Sequence, residues 1–461
     1  MMHSRRDQVE AHAFVKSRLR SALLRAEPDA AHPPLRRTPV ALVLGAVLGV
    51  LAIAVVAVLA LLKPGGGAAW RKQGALIVDK QTGNRYVLSE GRLRPVLNYA
   101  SARLLLGDQM TVALTSAQTL AQVPRGGQIG ILAAPDTLPP VAAGDQPWLV
   151  CATSAQNGQP GVTVLLGAAT RTRSDPQAGA ALVRTPDGAV YLAEGGKRMR
   201  LTAPWVSRAL DLDERRAVPV RSTWVGALPA GPDLGTLPIT GRGHTGPTFD
   251  GRRTRVGQVL VASSPGTPDR HYLVTSGGLV PVNQTAVALA LGDPATAAAY
   301  DRQGARLLPL SPTALASAPI ADAPQWTVDL PPIPSALATD RTDRIPCVLA
   351  VTADRTAKTA VVSVPASAAS EAGPVDAPGL QRDGLTADQV GVIPGGGMLA
   401  RTLPAPGVPG AGLYLVVDSG AKYPVDGDDA AKALGYPPDR AATVPADLLT
   451  MLPTGPVLHL L

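Results

Sequence analysis

Few residues in this 461-residue chain have both the type and the spacing to do chemistry. GRGHTG, at 241–246, satisfies G-x-G-x-x-G, where glycines let a backbone close on a pyrophosphate. That use needs a strand before the motif, a helix after it and an acid about 20 residues on. Here Pro247 and TFDGRR follow, so the match reads as chance in a Gly-rich connection. No G-x-x-x-x-G-K-[ST] run could cradle a triphosphate, and no G-x-S-x-G elbow could present a nucleophile. His244, His271 and His459 are widely spaced, without metal-ligand or Ser-His spacing. NQT at 283–285 has the form of a glycosylation sequon, in a composition that reads as GC-rich and bacterial. No catalytic residue and no metal ligand is therefore expected. The remaining reactive pair is Cys151 and Cys347, the only cysteines.

What must position those residues begins with a membrane segment. VALVLGAVLGVLAIAVVAVLALL, Val40–Leu62, holds no charge, and at about 1.5 Å rise per residue it spans a bilayer of ~30 Å. The run is too long, and starts too late, for a signal peptide. Residues 39–62 are expected to be a transmembrane helix. Residues 1–38 carry eight Lys/Arg against four acids, a net +4. The rest carries 35 against 31, also +4 out of the total +8, so the large part is nearly balanced and nucleic acid is not an expected partner. The basic excess beside the helix places residues 1–38 in the cytoplasm and residues 63–461 outside. Within 1–38, Val15, Leu19, Ala22, Leu23 and Ala26 fall at helical spacing beside Arg5, Arg6, Arg18, Arg20, Arg25, Arg36 and Arg37. Such an arm could lie on anionic lipid or dock on a cytoplasmic partner. Gly45 and Gly49 form a G-x-x-x-G that would let a neighbouring membrane helix approach closely.

The exterior part is built from copies. YVLSEGRLRPVLNYASARLLLG (86–107) returns as YLAEGGKRMRLTAPWVSRALD from Tyr191, YLVTSGGLVPVNQTAVALALG from Tyr272 and YLVVDSGAKYPVDGDDAAKALG from Tyr414. Each copy reads as a three-stranded meander with tight Gly turns, then an Ala/Leu helix. Gly107, Gly292 and Gly435 stand where a C-cap would. About 45 residues of this kind cannot bury a core alone, so the copies must pack on neighbours. Aromatics are only 3% of the chain, so that core is aliphatic. Between the copies lie QPWLVCATSAQNGQPGVTVLLGAAT (145–169) and RIPCVLAVTADRTAKTAVVSVPAS (344–367), each strand, turn, strand around one cysteine. The order is repeat, Cys hairpin, repeat, linker, and then the same again. In an oxidising exterior the two cysteines read as one disulfide, the alternative being two buried thiols.

The expected fold class is α+β. A single transmembrane helix precedes an elongated domain of four repeats around a disulfide-stapled β core with pseudo-twofold symmetry. Its units are a 63–74 linker, repeats at 75–135, 181–236, 257–322 and 396–461, hairpins at 145–170 and 344–367, and linkers at 237–256 and 368–395.

The chain resembles EccB, the single-pass membrane component of type VII (ESX) secretion systems of actinobacteria. The resemblance is carried by QVEAHAFVKSRLRSALLRAEP, PPLRRTPVAL, RPVLNYASARLLLG, GLVPV, KYPV, the paired cysteines and the repeat order, and covers essentially the whole chain. It implies a core subunit of an inner-membrane secretion complex. Implied partners are the motor ATPase EccC, the multi-span EccD, often EccE, a mycosin protease and a second copy. The family is also described as having ATPase activity, so ATP is a cofactor by resemblance alone.

Overall fold

The computed structural model describes residues 5–25, 37–62, 69–141, 146–155, 158–167, 177–301, 303–332, 343–353, 355–405 and 407–461. Two helices lead, Arg5–Arg25 and Arg37–Leu62. The rest is a mixed α+β body in which one local plan recurs four times.

The first module is β1 (Ala75–Asp79), β2 (Arg85–Ser89) and β3 (Arg92–Pro95), a helix Tyr99–Leu106, and β4 (Thr111–Thr115). Next come β5 (Trp148–Ser154), β6 (Pro160–Leu166) and the short β7 (Gln177–Ala178). The second module is β8 (Ala181–Arg184), β9 (Val190–Glu194), β10 (Lys197–Arg200), helix Pro204–Ala209 and β11 (Val218–Pro219). A hairpin, β12 (Thr245–Phe249) and β13 (Arg252–Arg255), leads to the third: β14 (Val259–Ser264), β15 (Thr267–Thr275), β16 (Gly278–Val282), helix Gln284–Gly292 and β17 (Leu308–Pro309). Then β18 (Arg344–Ala353), β19 (Thr356–Pro365) and β20 (Gln389–Gly391) precede the fourth: β21 (Gly397–Leu403), β22 (Leu413–Val417), β23 (Lys422–Val425), helix Gly427–Leu434 and β24 (Ala442–Pro445).

Each module sheet has the order third, second, first, fourth strand. The meander is antiparallel, as the tight turns require; Glu90 and Gly91 both have positive φ (52° and 71°), the geometry of a two-residue hairpin turn. The helix then crosses over, and the fourth strand runs parallel to the first, Ile77 opposite Ala113 and Ala400 opposite Ala442. This fourth strand was not read from the sequence. β11 and β17 are only two residues long, too short to show alternation. A second short helix follows in each module: Ala117–Leu120, Ser222–Gly226, Pro312–Ser317 and Ala446–Thr450. A closing segment then returns beside the third strand through isolated parallel bridges such as Val96–Ile129 and Val425–Leu458.

The central sheet has the order β20-β6-β5-β18-β19-β7. Its two middle strands are antiparallel and place Cys347 directly opposite Cys151. The helix of the first module packs on that of the fourth, and the helix of the second on that of the third. Apolar side chains of the first, second and fourth modules share one core with the central sheet, while the second and third share another.

Two stretches read as linkers contain regular structure. Residues 237–256 include the β12–β13 hairpin, whose Phe249 is buried against Leu260, Tyr272 and Val274 of the third module. Residues 368–395 supply β20 to the central sheet. Gly107 and Gly435 cap their helices with positive φ, but Gly292 lies within its helix. There a Cβ would stand 2.5 Å from that of Ala209, so Gly292 is small because two helices meet.

Candidate functional site

The first candidate is the seam between the hairpins. Cys151 and Cys347 are fully buried and bonded (S–S 2.13 Å, Cα–Cα 4.0 Å). Leu149, Leu165, Val362 and Val364 pack around them. On the other face, Trp224 of the second module donates its Nε1–H to Val150 O at 3.0 Å, tying that module to β5. Arg221 beside it spans further. Its guanidinium donates to Thr386 O (3.1 Å), Asp388 Oδ2 (3.0 Å) and Gly384 O (2.6 Å), and Asp388 also accepts from Val162 N–H at 2.8 Å. One arginine thus joins the second module, β6 and the chain leading into the fourth. At the opposite junction, the Tyr436 hydroxyl donates to Pro139 O at 2.5 Å, and burial pushes its pKa up.

Each module carries the same latch. Leu93, Arg198, Leu279 and Lys422 donate their N–H to Pro124, Pro229, Pro319 and Pro453 at 2.7–3.0 Å, and accept from residues 126, 231, 321 and 455. In the first and third modules the latch residue is a fully buried leucine. In the second, the Arg198 guanidinium donates to Val225 O (3.0 Å) and Leu228 O; in the fourth, Lys422 Nζ donates to Leu449 O at 2.6 Å. Both cations meet the carbonyl end of the module's second helix, where positive charge is favoured. Burial lowers the Lys422 pKa to about 8, opposed by the charge of Asp383. Helix caps sort the modules the same way. Asn98 and Asn283 each accept from a first-turn N–H at 2.9 Å, whereas Ala203 and Asp426 make no side-chain cap bond.

The residues singled out from sequence lie apart from these junctions. Arg5, Arg6, Arg18 and Arg20 are exposed on the first helix with Val15, Leu19 and Leu23. Arg36, and the side chains of Arg25 and Arg37, lie outside the described residues. A Cβ added at Gly45 or Gly49 would meet nothing within 4 Å. Among the described residues no helix is long and apolar enough to cross a membrane. Side chains of Arg37–Leu62 are described only over 41–56, short of the ~20 residues a crossing takes.

GRGHTG forms a turn with positive φ at Gly241 and Gly243 and no helix after it. Its Arg242 donates to Asp293 (3.0 Å), Thr296 (2.7 Å) and Leu237 O (2.7 Å), a buried ion pair holding the end of the second module to the third. The Asn283 amide of the sequon donates to Leu330 O and Pro331 O. Among the described residues no group of three or more His, Cys, Asp or Glu is placed to hold a metal. A cavity of about 480 Å³ lies where the second helices of the second and fourth modules face β18 and β19, with Arg198, Thr359 and Met451 in its wall. Arg198, Arg221, Arg242 and Lys422 were all missed in the sequence. The available signal was the recurrence of Pro-x-Gly at 124–126, 229–231 and 453–455, about 31 residues after each latch position.

The arrangement holds modules together. Residues 1–460 match the family described as "Type VII secretion system ESX-1, transport TM domain B". The chain belongs to the EccB family. ESX-3 secretion system ATPase EccB3 of Mycolicibacterium smegmatis is 28% identical over 98% of this chain and 89% of its own length. ESX-5 secretion system ATPase EccB5 of Mycobacterium tuberculosis is 30% identical over 99% and 92%. Among solved structures, a chain of an intact ESX-5 inner membrane complex matches with a TM-score of 0.68 at 27% identity, covering 100% of this chain and 94% of that one. An EccB3 dimer from the ESX-3 core complex shares the fold (TM-score 0.65, 24% identity, 84% and 98%). EccB proteins are components of type VII secretion membrane complexes, and that is the function class of this chain.

Proposed function

We propose that this EccB protein is a structural subunit of a type VII secretion inner-membrane complex. A basic cytoplasmic arm (1–38) and one membrane helix (39–62) would anchor an elongated exterior scaffold, two halves related by a pseudo-twofold axis through the Cys151–Cys347 pair. The observation that carries the scaffold reading is the seam itself: a buried cross-strand disulfide between two hairpins, each flanked by modules that pair across halves. The crossing is supported by the uncharged run Val40–Leu62 on a 26-residue helix. The solved relative that belongs to an intact ESX-5 inner membrane complex supports other subunits of such a complex as partners, and the relative solved as an EccB3 dimer supports a second copy among them.

Deleting residues 1–38 should release the protein from its complex on a native gel. An unchanged complex size would remove the arm from the assembly.

The names of several relatives include "ATPase", and that alone favours a second reading, ATP hydrolysis by the same subunit. Turnover by a purified 63–461 fragment decides it. Activity that tracks the protein through purification, and falls with substitution of a particular carboxylate, supports hydrolysis. Activity that fades with purification and survives every such substitution does not.

A further inference from the structure

The basic excess beyond residue 38 is gathered in one module. Residues 69–141 hold eight Lys/Arg against four acids, an excess equal to that of the whole chain from residue 39 onward, where 35 stand against 31. The fourth module (residues 396–461), whose helix packs on that of the first, holds four against six. Two of the first module's acids are engaged within it: Asp79 accepts from Thr82 Oγ1 at 2.6 Å, and Asp136 pairs with Arg85. Arg71, Lys72 and Lys80 are exposed.

These three cations bracket an apolar strand. β4 is the last strand of its sheet. Thr111 donates its N–H to Gly74 O at 3.1 Å, and the Lys80 N–H donates to Thr115 O at 2.9 Å. Arg71 and Lys72 therefore stand near one end of β4 and Lys80 at the other. Between them Val112 and Leu114 are each 57% exposed, while Ala113 and Thr115 are buried. Val112 and Leu114 lie beside Leu76 and Val78 of β1, on the face that also carries the half-buried Leu105, Leu106 and Met110. The nearest acid in sequence, Asp108, has the Arg103 guanidinium at its carbonyl (3.4 Å).

We propose, resting on the membrane-anchored reading above, that this corner of the first module docks on the anionic phospholipid of the outer leaflet, with Val112 and Leu114 at headgroup depth and Arg71, Lys72 and Lys80 against lipid phosphates. Apolar side chains set among basic ones are the composition of an interfacial contact, the first entering the headgroup boundary and the second attracted to acidic lipid. The tether brings the corner there. Only residues 63–68 separate the helix Arg37–Leu62 from the turn Ala69–Arg71, which packs against β1 and β4. The chain from Leu62 to Ala69 reaches at most about 25 Å. So short a link keeps the effective concentration of the membrane surface high for β4 and its flanking cations. The depth is limited by the backbone: by alternation the N–H groups of Val112 and Leu114 face away from β1, and hydrocarbon would leave them unbonded.

The experiment uses the full chain in nanodiscs that hold one copy each. Both native cysteines are in the disulfide, so Leu114→Cys takes a fluorescent label without a competing thiol. In discs of mixed phosphatidylcholine and phosphatidylglycerol, a quencher carried at headgroup depth should quench this label strongly. The same label at Val328→Cys, 69% exposed in the third module, should escape it. Arg71→Gln, Lys72→Gln and Lys80→Gln should each weaken docking about fivefold, the effect of one cation at an anionic surface. The triple variant, or discs of phosphatidylcholine alone, should bring the quenching down to the level at Val328→Cys, with the unfolding midpoint unchanged. If Leu114→Cys misfolds, Val112→Cys carries the label instead. The proposal is overturned if both labels are quenched alike, if the triple variant is quenched as strongly as wild type, or if the label at residue 114 is shielded from an aqueous quencher but untouched by the lipid-borne one, which would mean that protein covers the strand. Release of the chain from membranes by alkaline carbonate would overturn the anchored reading and this proposal with it. Retention in the membrane without preferential quenching would overturn this proposal alone.

Discussion

Lys422 shows how one position can carry different chemistry in each copy of a repeat. Its counterparts are Leu93, Arg198 and Leu279, and only the second and fourth modules place a cation on the carbonyl end of their second helix. Because burial lowers its pKa to about 8, from 10.5 in the unfolded chain, the unfolded state binds more protons between those values. The sign is then fixed: this group's contribution to stability rises with pH across that window and is flat below it. We predict that Lys422→Leu removes the rise, so that wild type gains roughly 1–3 kcal/mol over the variant from pH 8 to pH 10.5 in denaturant unfolding. Lys422→Arg, which copies the second module, should keep the helix-end contact and lose the pH dependence. An equal pH slope in wild type and Lys422→Leu would refute the assignment. None of this was legible in KYPV as a string, because the carbonyl that Lys422 meets lies 27 residues away.

The elements separate what neighbours in sequence decide from what distance decides. The meanders, their Gly turns and the helix after each were readable because turn chemistry and apolar alternation act within a few residues. The fourth strand and closing segment were not, being short and held by pairing with strands already in place. In the first, second and fourth modules the closing segment carries the glycine of Pro-x-Gly, where the third has Ala321. A Cβ at Gly455 would stand 2.2 Å from the Tyr423 ring, and one at Gly231 would stand 2.9 Å from Met199. Gly455→Ala should therefore cost about 1–3 kcal/mol of stability, the usual range for overpacking, in thermal unfolding of a 63–461 fragment. Gly373→Ala, where a Cβ meets nothing within 4 Å, is the control and should stay within about 0.5 kcal/mol. Matching losses at both sites would mean that the segment is not a packed part of the sheet.

For the whole molecule, the seam should matter most. Cys151–Cys347 closes 196 residues, and a loop of that length limits the unfolded chain by roughly 5 kcal/mol in the chain-entropy view. The Cys151→Ser/Cys347→Ser double variant should lose stability on that order by chemical denaturation, and intact mass without reductant should show wild type two hydrogens lighter than its reduced form. Two free thiols in the mature protein would remove the staple. The sequence by itself determined that a charge-free run of membrane length precedes four copies of one module and two cysteine hairpins, because composition, periodicity and turn residues are local properties. Only the tertiary structure decided that the first module's helix packs on the fourth's and the second's on the third's. The reason is physical: the module helices offer similar small apolar faces, so nothing local distinguishes their partners. Which faces meet follows from the pairing of β5 with β18, a contact between residues 196 apart in sequence.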